Sequence, residues 1–289
     1  MDKTQLEFAK WLPYRSDRNA QFGGRSFYFF DLDNNIVHLQ TEIILAHKKT
    51  GERARIRPEV LARQDERIGQ SGEYRNYTWL PGEQSFHNFR DCPISLRKRL
   101  QGRKENIIED IDAAVRDPIR EWRGPSWDRF YYAVLNRRPV SIITARGHSR
   151  HILTKALRYL YRLGYLECPP NILSLYPVTN PAVRKSLGGS ISTNVAELKR
   201  VALFQSVEQA FKRYGQNPWH RFGISDDDPA NINQIRGALE ELKKRYPDNA
   251  FFIFDSSGDE LKKIEIFTDH VETHRRKRSA ANFTYDLDF

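Results

Sequence analysis

Short apolar runs bounded by polar or turn residues alternate along the chain with longer stretches in which apolar side chains recur every three or four positions. Phe27–Phe30, Val140–Thr144, Asn171–Tyr176, Arg221–Ser225 and Ala250–Phe254 are of the first kind and predict buried strands, with Leu261–Phe267 a candidate neighbour for the last. Helical stripes run through Asn106–Val115 (Ile107, Ile108, Ile111, Val115) and through the segment after Ser126 (Trp127, Phe130, Tyr131, Val134, Leu135), which Ser126 can cap. A third stripe, Ile152, Leu153, Ala156, Leu157 and Leu160, stops at Gly164. Ser192 or Thr193 opens a fourth (Val195, Leu198, Ala202, Val207, Ala210, Phe211), and a fifth (Ile232, Ile235, Leu239, Leu242) ends before Pro247. Strands alternating with helices predict an α/β fold, a three-layer, doubly wound and mostly parallel sheet covered on both faces.

The region after the first strand breaks this rhythm. Thr41–Ala46 and Arg53–Ile56 flank Lys48-Lys49-Thr50-Gly51 and predict a β-hairpin with a Gly turn. Pro58–Ile68 predicts a short helix with Pro in its first turn. Residues 69–104 are rich in Gly, Pro and aromatic side chains, have no sustained period, and predict no element. Residues 1–25 read as a mixed lead-in with a turn at Phe22-Gly23-Gly24, and the tail His274–Phe289, which opens with the basic run His274–Arg278, reads as a solvated end.

With 289 residues, 39% hydrophobic and 12% aromatic, the chain has the material for one large folded domain or a core with a substantial insert. Its two cysteines, Cys92 and Cys168, have neither metal-ligand nor redox spacing, as expected in a reducing compartment. A charged start and the absence of any run near the ~18 apolar residues of a membrane span predict a soluble cytoplasmic protein with no membrane partner. The net charge of +10 is unevenly spread: residues 145–221 hold 12 basic and 3 acidic side chains, a balance of +9 that attracts phosphorylated metabolites or nucleic acid.

Three predicted strands end in acidic or hydroxyl residues: Asp31 and Asp33, Thr144, and Asp226 and Asp227. Parallel strands carry their carboxyl ends to one edge, where ligands bind in open α/β sheets. Lys199, on the helix between the third and fourth strands, can reach that edge. Such a constellation suits phosphoryl transfer, because a carboxylate attacking an anionic phosphate needs a divalent cation and an ammonium group to offset repulsion.

The segments FFDLDNN at 29–35, SIITARG at 141–147, Lys199 and GISDDDPAN at 223–231 resemble the haloacid dehalogenase superfamily of aspartate-dependent hydrolases, across roughly 26–34 and 126–254. The resemblance implies a Rossmann-like catalytic core built from residues 1–35 and 126–289. It makes Asp31 the nucleophile that forms an aspartyl-phosphate, and Asp33 the group that protonates the leaving oxygen and then activates water. Thr144 and Lys199 would hold the phosphoryl oxygens with Ala145 and Arg146 beside them. Asp226, Asp227, Asp31 and the Asp33 carbonyl would bind Mg²⁺. A carboxylate at Asp33 points to phosphatase rather than dehalogenase or phosphonatase chemistry. From Asp31 to Thr144 is 113 residues (144 − 31), where a βαβ step needs about 30, so residues 36–125 are expected to form an inserted α+β cap.

The chain departs from the family pattern in having Asn34-Asn35 for Gly-Thr and Ser225 for Gly. Three successive aspartates leave the metal ligands open among Asp226, Asp227 and Asp228, and Lys185 competes with Lys199. The expected activity is Mg²⁺-dependent hydrolysis of a small phosphomonoester. A nucleic-acid end phosphatase acting on 3′ or 5′ phosphates and a catalytically silent binding module are the alternatives. Tyr74, Tyr77 and Trp79 are candidate substrate contacts beside Arg146.

Overall fold

All five side chains of β1 (Ser26–Phe30) are buried, and their alternation assigns each to a face of the sheet. In the computed structural model, which describes residues 14–277 except 59, 62–66, 83, 93, 95, 96, 98, 99, 191 and 259, Phe27 and Phe29 share an apolar cluster with Leu198, Leu203, Val207, Ile235 and Leu239. Tyr28 and Phe30 turn the other way, onto Tyr132 and Phe130. A strand buried at every position therefore sits where both faces are covered by helices.

Two compact units divide the chain. One takes in the described residues up to His38, Arg123–Ala145 and those from Leu157 onward; the other is Leu39–Trp122 with Arg146–Ala156. The sheet of the first unit contains β1, β5 (Pro139–Thr144), β6 (Asn171–Pro177), β7 (Arg221–Asp226), β8 (Ala250–Asp255), β9 (Glu260–Ile266) and β10 (Val271–Lys277), in the order β10-β9-β8-β7-β1-β5-β6. The five strands from β8 to β6 are parallel, and β9 and β10 add antiparallel strands at one edge. From β1 the chain winds outward to β5 and β6, then returns to β7 on the opposite side. β1 is thus the point where strand order reverses, and ligands bind beyond the carboxyl ends of strands at such points.

The described helices include α1 (Asn106–Arg116), α2 (Trp127–Leu135), α3 (Arg150–Arg162), α4 (Pro181–Ser186), α5 (Val195–Tyr214) and α6 (Pro229–Arg245). Four details correct the sequence reading. Ser126 does not cap α2 with its side chain; its hydroxyl lies 2.5 Å from that of Ser225. The cap of α5 is Asn194, which accepts from the Glu197 N–H at 2.7 Å, and not Ser192 or Thr193. Helix α4 falls where no apolar stripe predicts an element, because Asn180 caps it and Pro181 occupies its first position. The start of the basic tail, including His274, pairs with β9 as edge strand β10. The remainder of that tail, residues 1–13 of the lead-in, and 62–66 of the helix expected over Pro58–Ile68 lie outside the described residues.

In the second unit β2 (Ile43–His47) pairs with β3 (Arg53–Ile56) and β4 (Tyr77–Trp79) as an antiparallel three-stranded sheet. Gly51 supplies the turn at φ 71°, a left-handed conformation that glycine adopts without strain. Ile43, Leu45, Ile56 and Ile68 form its core, and Tyr74, Tyr77 and Trp79 pack half-buried against it. Among the described residues of 69–104 are the short strand β4 and the 3₁₀ turns of Gln84–Phe89. Among the described residues, no helix is long and apolar enough to cross a membrane.

Candidate active site

Register places the acidic residues. Phe30 of β1 lies level with Ser225 of β7 and Ile142 of β5, so Asp31, Asp226 and Thr144 all fall within two residues of one line at the carboxyl rim. The Asp31 N–H donates to the Ser225 carbonyl at 3.0 Å, extending the ladder one residue past the strand. The chain then turns tightly: the Leu32 carbonyl accepts from Ile36 and Val37, and Asn34, at φ 56°, donates its N–H to the Val37 carbonyl.

Each aspartate of Asp226-Asp227-Asp228 has a different position. Asp226 ends β7 and is buried; its Oδ1 accepts from the Asp228 N–H (3.0 Å) and from Asn231 Nδ2 (3.1 Å). Asp228 caps α6, accepting from the Ala230 N–H at 2.9 Å. Asp227 joins Asp31 and Asp226 in a triad whose carboxylate oxygens lie within 4.8 Å of one another. Asp33 is outside that triad of side chains, yet close enough for its charge to act on Asp31 and Asp227.

Lys199 lies early in α5, where the Asn194 cap sets the start of the helix. It is 5% exposed, and its Nζ lies 2.9 Å from Asp226 Oδ2 and 3.2 Å from Asp31 Oδ1. Its competitor Lys185 is exposed, in the last turn of α4. Thr144 is buried at the end of β5, with its carbonyl accepting from the Val178 N–H; the Ala145 carbonyl accepts from Thr179 Oγ1. Arg146 belongs to the second unit, where its guanidinium donates to Thr41 Oγ1 at 2.6 Å and lies over the Phe89 ring.

The two departures from the family pattern meet each other. Asn35, fully buried, donates from Nδ2 to Ser225 Oγ (3.2 Å) and Ser256 Oγ (3.0 Å), and the Ser256 hydroxyl donates to the Asp226 carbonyl (3.0 Å). This network ties the segment after β1, the end of β7 and the segment after β8 together behind the carboxylates. Gly124 makes it possible, since a Cβ there would stand 2.3 Å from the Asn35 carbonyl oxygen. Sequence reasoning missed Asn231, Ser256 and Ser126. Only Asn231, five residues beyond Asp226 within GISDDDPAN, left a local signal.

Burial raises the Asp31 carboxyl well above the ordinary range; Lys199 opposes that shift, while Asp226, Asp227 and Asp33 add to it. Burial and Asp226 push Asp227 up to about 7. Burial works to discharge Lys199, but Asp226 and Asp31 outweigh it and hold the ammonium above its usual range. Ionised, the triad carries three negative charges against one positive. Asp31 Oδ1 is buried and meets Lys199 at ion-pair distance without forming a hydrogen bond. Hard oxygen donors, spare negative charge and close spacing suit a divalent cation of the Mg²⁺, Ca²⁺ or Mn²⁺ kind. No protein-family model, curated protein or solved structure matches the chain.

Proposed function

We propose that this chain is a Mg²⁺-dependent phosphatase of the haloacid dehalogenase type, acting on a small phosphomonoester. The observation that carries the reading is the placement of Lys199 between Asp31 and Asp226, with Asp227 completing a carboxylate triad, at the rim where strand order reverses. The second unit corresponds in this reading to the inserted cap.

A bound cation supplies positive charge that offsets repulsion between the carboxylates and an incoming phosphate. Asp31 attacks phosphorus, forming an acyl-phosphate as the ester oxygen departs, and Asp33 donates a proton to that oxygen. Asp33 then takes a proton from the water that attacks the acyl-phosphate, releasing phosphate and regenerating Asp31. Lys199 holds a transferring oxygen and, tethered to Asp226, keeps the nucleophile oriented. Thr144 offers its hydroxyl from the adjacent strand end.

The balance of +9 over 145–221 favours, as a second reading, phosphorylated ends of oligonucleotides as substrates. Turnover of a phosphorylated-metabolite panel, with 3′- and 5′-phosphorylated oligonucleotides included, tests both. Asp31→Asn is expected to reduce every Mg²⁺-dependent activity by at least about a thousandfold, since no nucleophile remains to form the intermediate. A folded Asp31→Asn protein with unchanged turnover would sink the proposal.

A further inference from the structure

Where β1 and β7 begin, the first unit displays aromatic side chains at its surface. Phe22 and Trp219 stack with ring centroids 4.5 Å apart, and each is 48% exposed. Reciprocal amide bonds hold the pair: Asn19 Nδ2 donates to the Trp219 carbonyl at 2.9 Å, and Asn217 Nδ2 to the Phe22 carbonyl at 3.0 Å. Gly24 permits this approach, since a Cβ there would stand 2.5 Å from the Trp219 carbonyl oxygen. Both rings are thus presented to solvent by backbone that is itself fixed.

Cations lie beside them. Arg25 directly precedes β1 and Arg213 is in the last turn of α5, and their guanidiniums approach the same Tyr214 ring, 5.0 and 5.4 Å from its centroid. His220, next to Trp219, accepts from the Arg25 N–H at 3.1 Å and donates to the Gly215 carbonyl at 3.0 Å, joining the start of β1 to the end of α5. Arg25 and Arg213 are exposed, as is Arg18 beside Asn19, and among the described residues none of the three pairs with a carboxylate. Asp17 is turned inward, onto Arg138 at 3.1 Å and Ser26. Two like charges on one ring, without a carboxylate between them, leave a positive potential that an anion from solution offsets.

Open aromatic rings stack on bases, and guanidiniums bind the phosphates that accompany each base of a single strand. A duplex hides its base faces, and a membrane-binding face needs a broader apolar area than two rings. We propose that Phe22, Trp219, Arg25 and Arg213 form a binding surface for single-stranded nucleic acid at the amino edge of the sheet. It lies at the opposite end of β1 from the carboxylate triad, about 17 Å along a five-residue strand, so it engages the interior of a nucleic-acid strand and not a phosphorylated end. The surface stands whether or not the rim hydrolyses phosphate esters.

The test is fluorescence anisotropy of an oligo(dT) of about 20 nucleotides, enough to span the ~4–16 that single-strand-binding domains occupy, titrated with the full chain in EDTA. A dye on the 5′ end and a 3′ hydroxyl leave no phosphomonoester for the rim. Saturable binding that weakens with salt is expected. Trp219→Ala should lose at least about fivefold in affinity, the contribution of one stacked base. Arg25→Gln and Arg213→Gln should each lower the slope of log K against log salt by about 0.7, one phosphate contact on a single strand. All three side chains are at the surface, so the variants should melt with the wild type. Absence of saturable binding up to about 100 µM protein at low salt overturns the proposal. So does unchanged affinity in Trp219→Ala, which would mark a polyanion surface without stacking, or unchanged salt slopes in both arginine variants, which would place the strand elsewhere. Tighter binding to phosphatidylserine vesicles than to the oligonucleotide would also overturn it, in favour of a membrane face.

Discussion

Replacing Asp227 by Asn should stabilise the cation-free protein, and the structure sets both the size of the effect and its pH dependence. Burial beside Asp226 raises this carboxyl from 3.8 to about 7. That gap corresponds to about 4 kcal/mol of differential stability between the protonation states. Because Asp227 keeps some solvent contact, screening reduces the figure to roughly 2 kcal/mol. The sign follows from linkage. The native state binds this proton more tightly than the unfolded chain, so the wild type loses stability as pH rises from about 4 to 7 and stays level above that. Asn does not titrate. The variant should therefore melt with the wild type near pH 4 and roughly 4 °C above it at pH 8, taking about 2 °C per kcal/mol for a chain of this size. Added Mg²⁺ should reverse the order, since a cation at a hundred times its Kd adds about 2.7 kcal/mol to the wild type, and the amide is a poorer ligand. Differential scanning calorimetry at both pH values, with EDTA and with Mg²⁺, checks all four corners. A variant that melts below the wild type in EDTA at pH 8, or that keeps the full Mg²⁺ response, refutes the reasoning.

The remaining predictions concern neighbouring groups. Lys199→Met strands Asp31 and Asp226 as buried charges without their ammonium; it should abolish turnover and cost about 3–5 kcal/mol in EDTA at pH 8, read from urea midpoints. Mg²⁺ affinity of the wild type, measured by calorimetric titration, should fall as pH drops below about 7, where Asp227 takes up the proton that competes with the cation. Gly124→Ala drives a methyl into the backbone of Asn35 and should destabilise by about 1–3 kcal/mol or more, with Ser71→Ala at an exposed position as the inert comparison.

Most of the first unit could be read from periodicity because its strands are buried on both faces and its helices on one, which leaves strong two- and 3.6-residue signals. VSIIT and FFIF admit little else. The elements that escaped lack that contrast. β10, starting Val271-Glu272-Thr273-His274, is a polar edge strand whose backbone pairs without burying an apolar face. Helix α4, six residues long, is set by Asn180 and Pro181 and not by a stripe. In the second unit the core is made by a few aromatic and aliphatic side chains brought together from 43 to 89, so no single window carries the pattern. The acidic rim was legible for the converse reason: each aspartate adjoins a strand whose end the sequence marks sharply. The hydroxyl and amide network behind it was not. Asn35, Ser126, Ser225 and Ser256 are ordinary polar residues until register brings them together across as many as 221 positions.

That network bears on why Asp31 and Asp226 stay side by side although their charges repel. Two buried carboxylates at adjacent strand ends would relax apart if their backbones were loose, and Lys199 alone offsets one charge. The Asp31 N–H is fixed to Ser225, the Asp226 carbonyl to Ser256, and Asn35 joins the hydroxyls of both serines. Repulsion therefore cannot be relieved by backbone movement, and it adds to burial, the larger cause, in raising the carboxyls of Asp31 and Asp227. A rim held in that condition binds protons at neutral pH and releases them to a cation. Stability given up in the cation-free state becomes affinity for the cation, so loosening the network at Asn35 should lower cation affinity even though Asn35 carries no ligand atom for it.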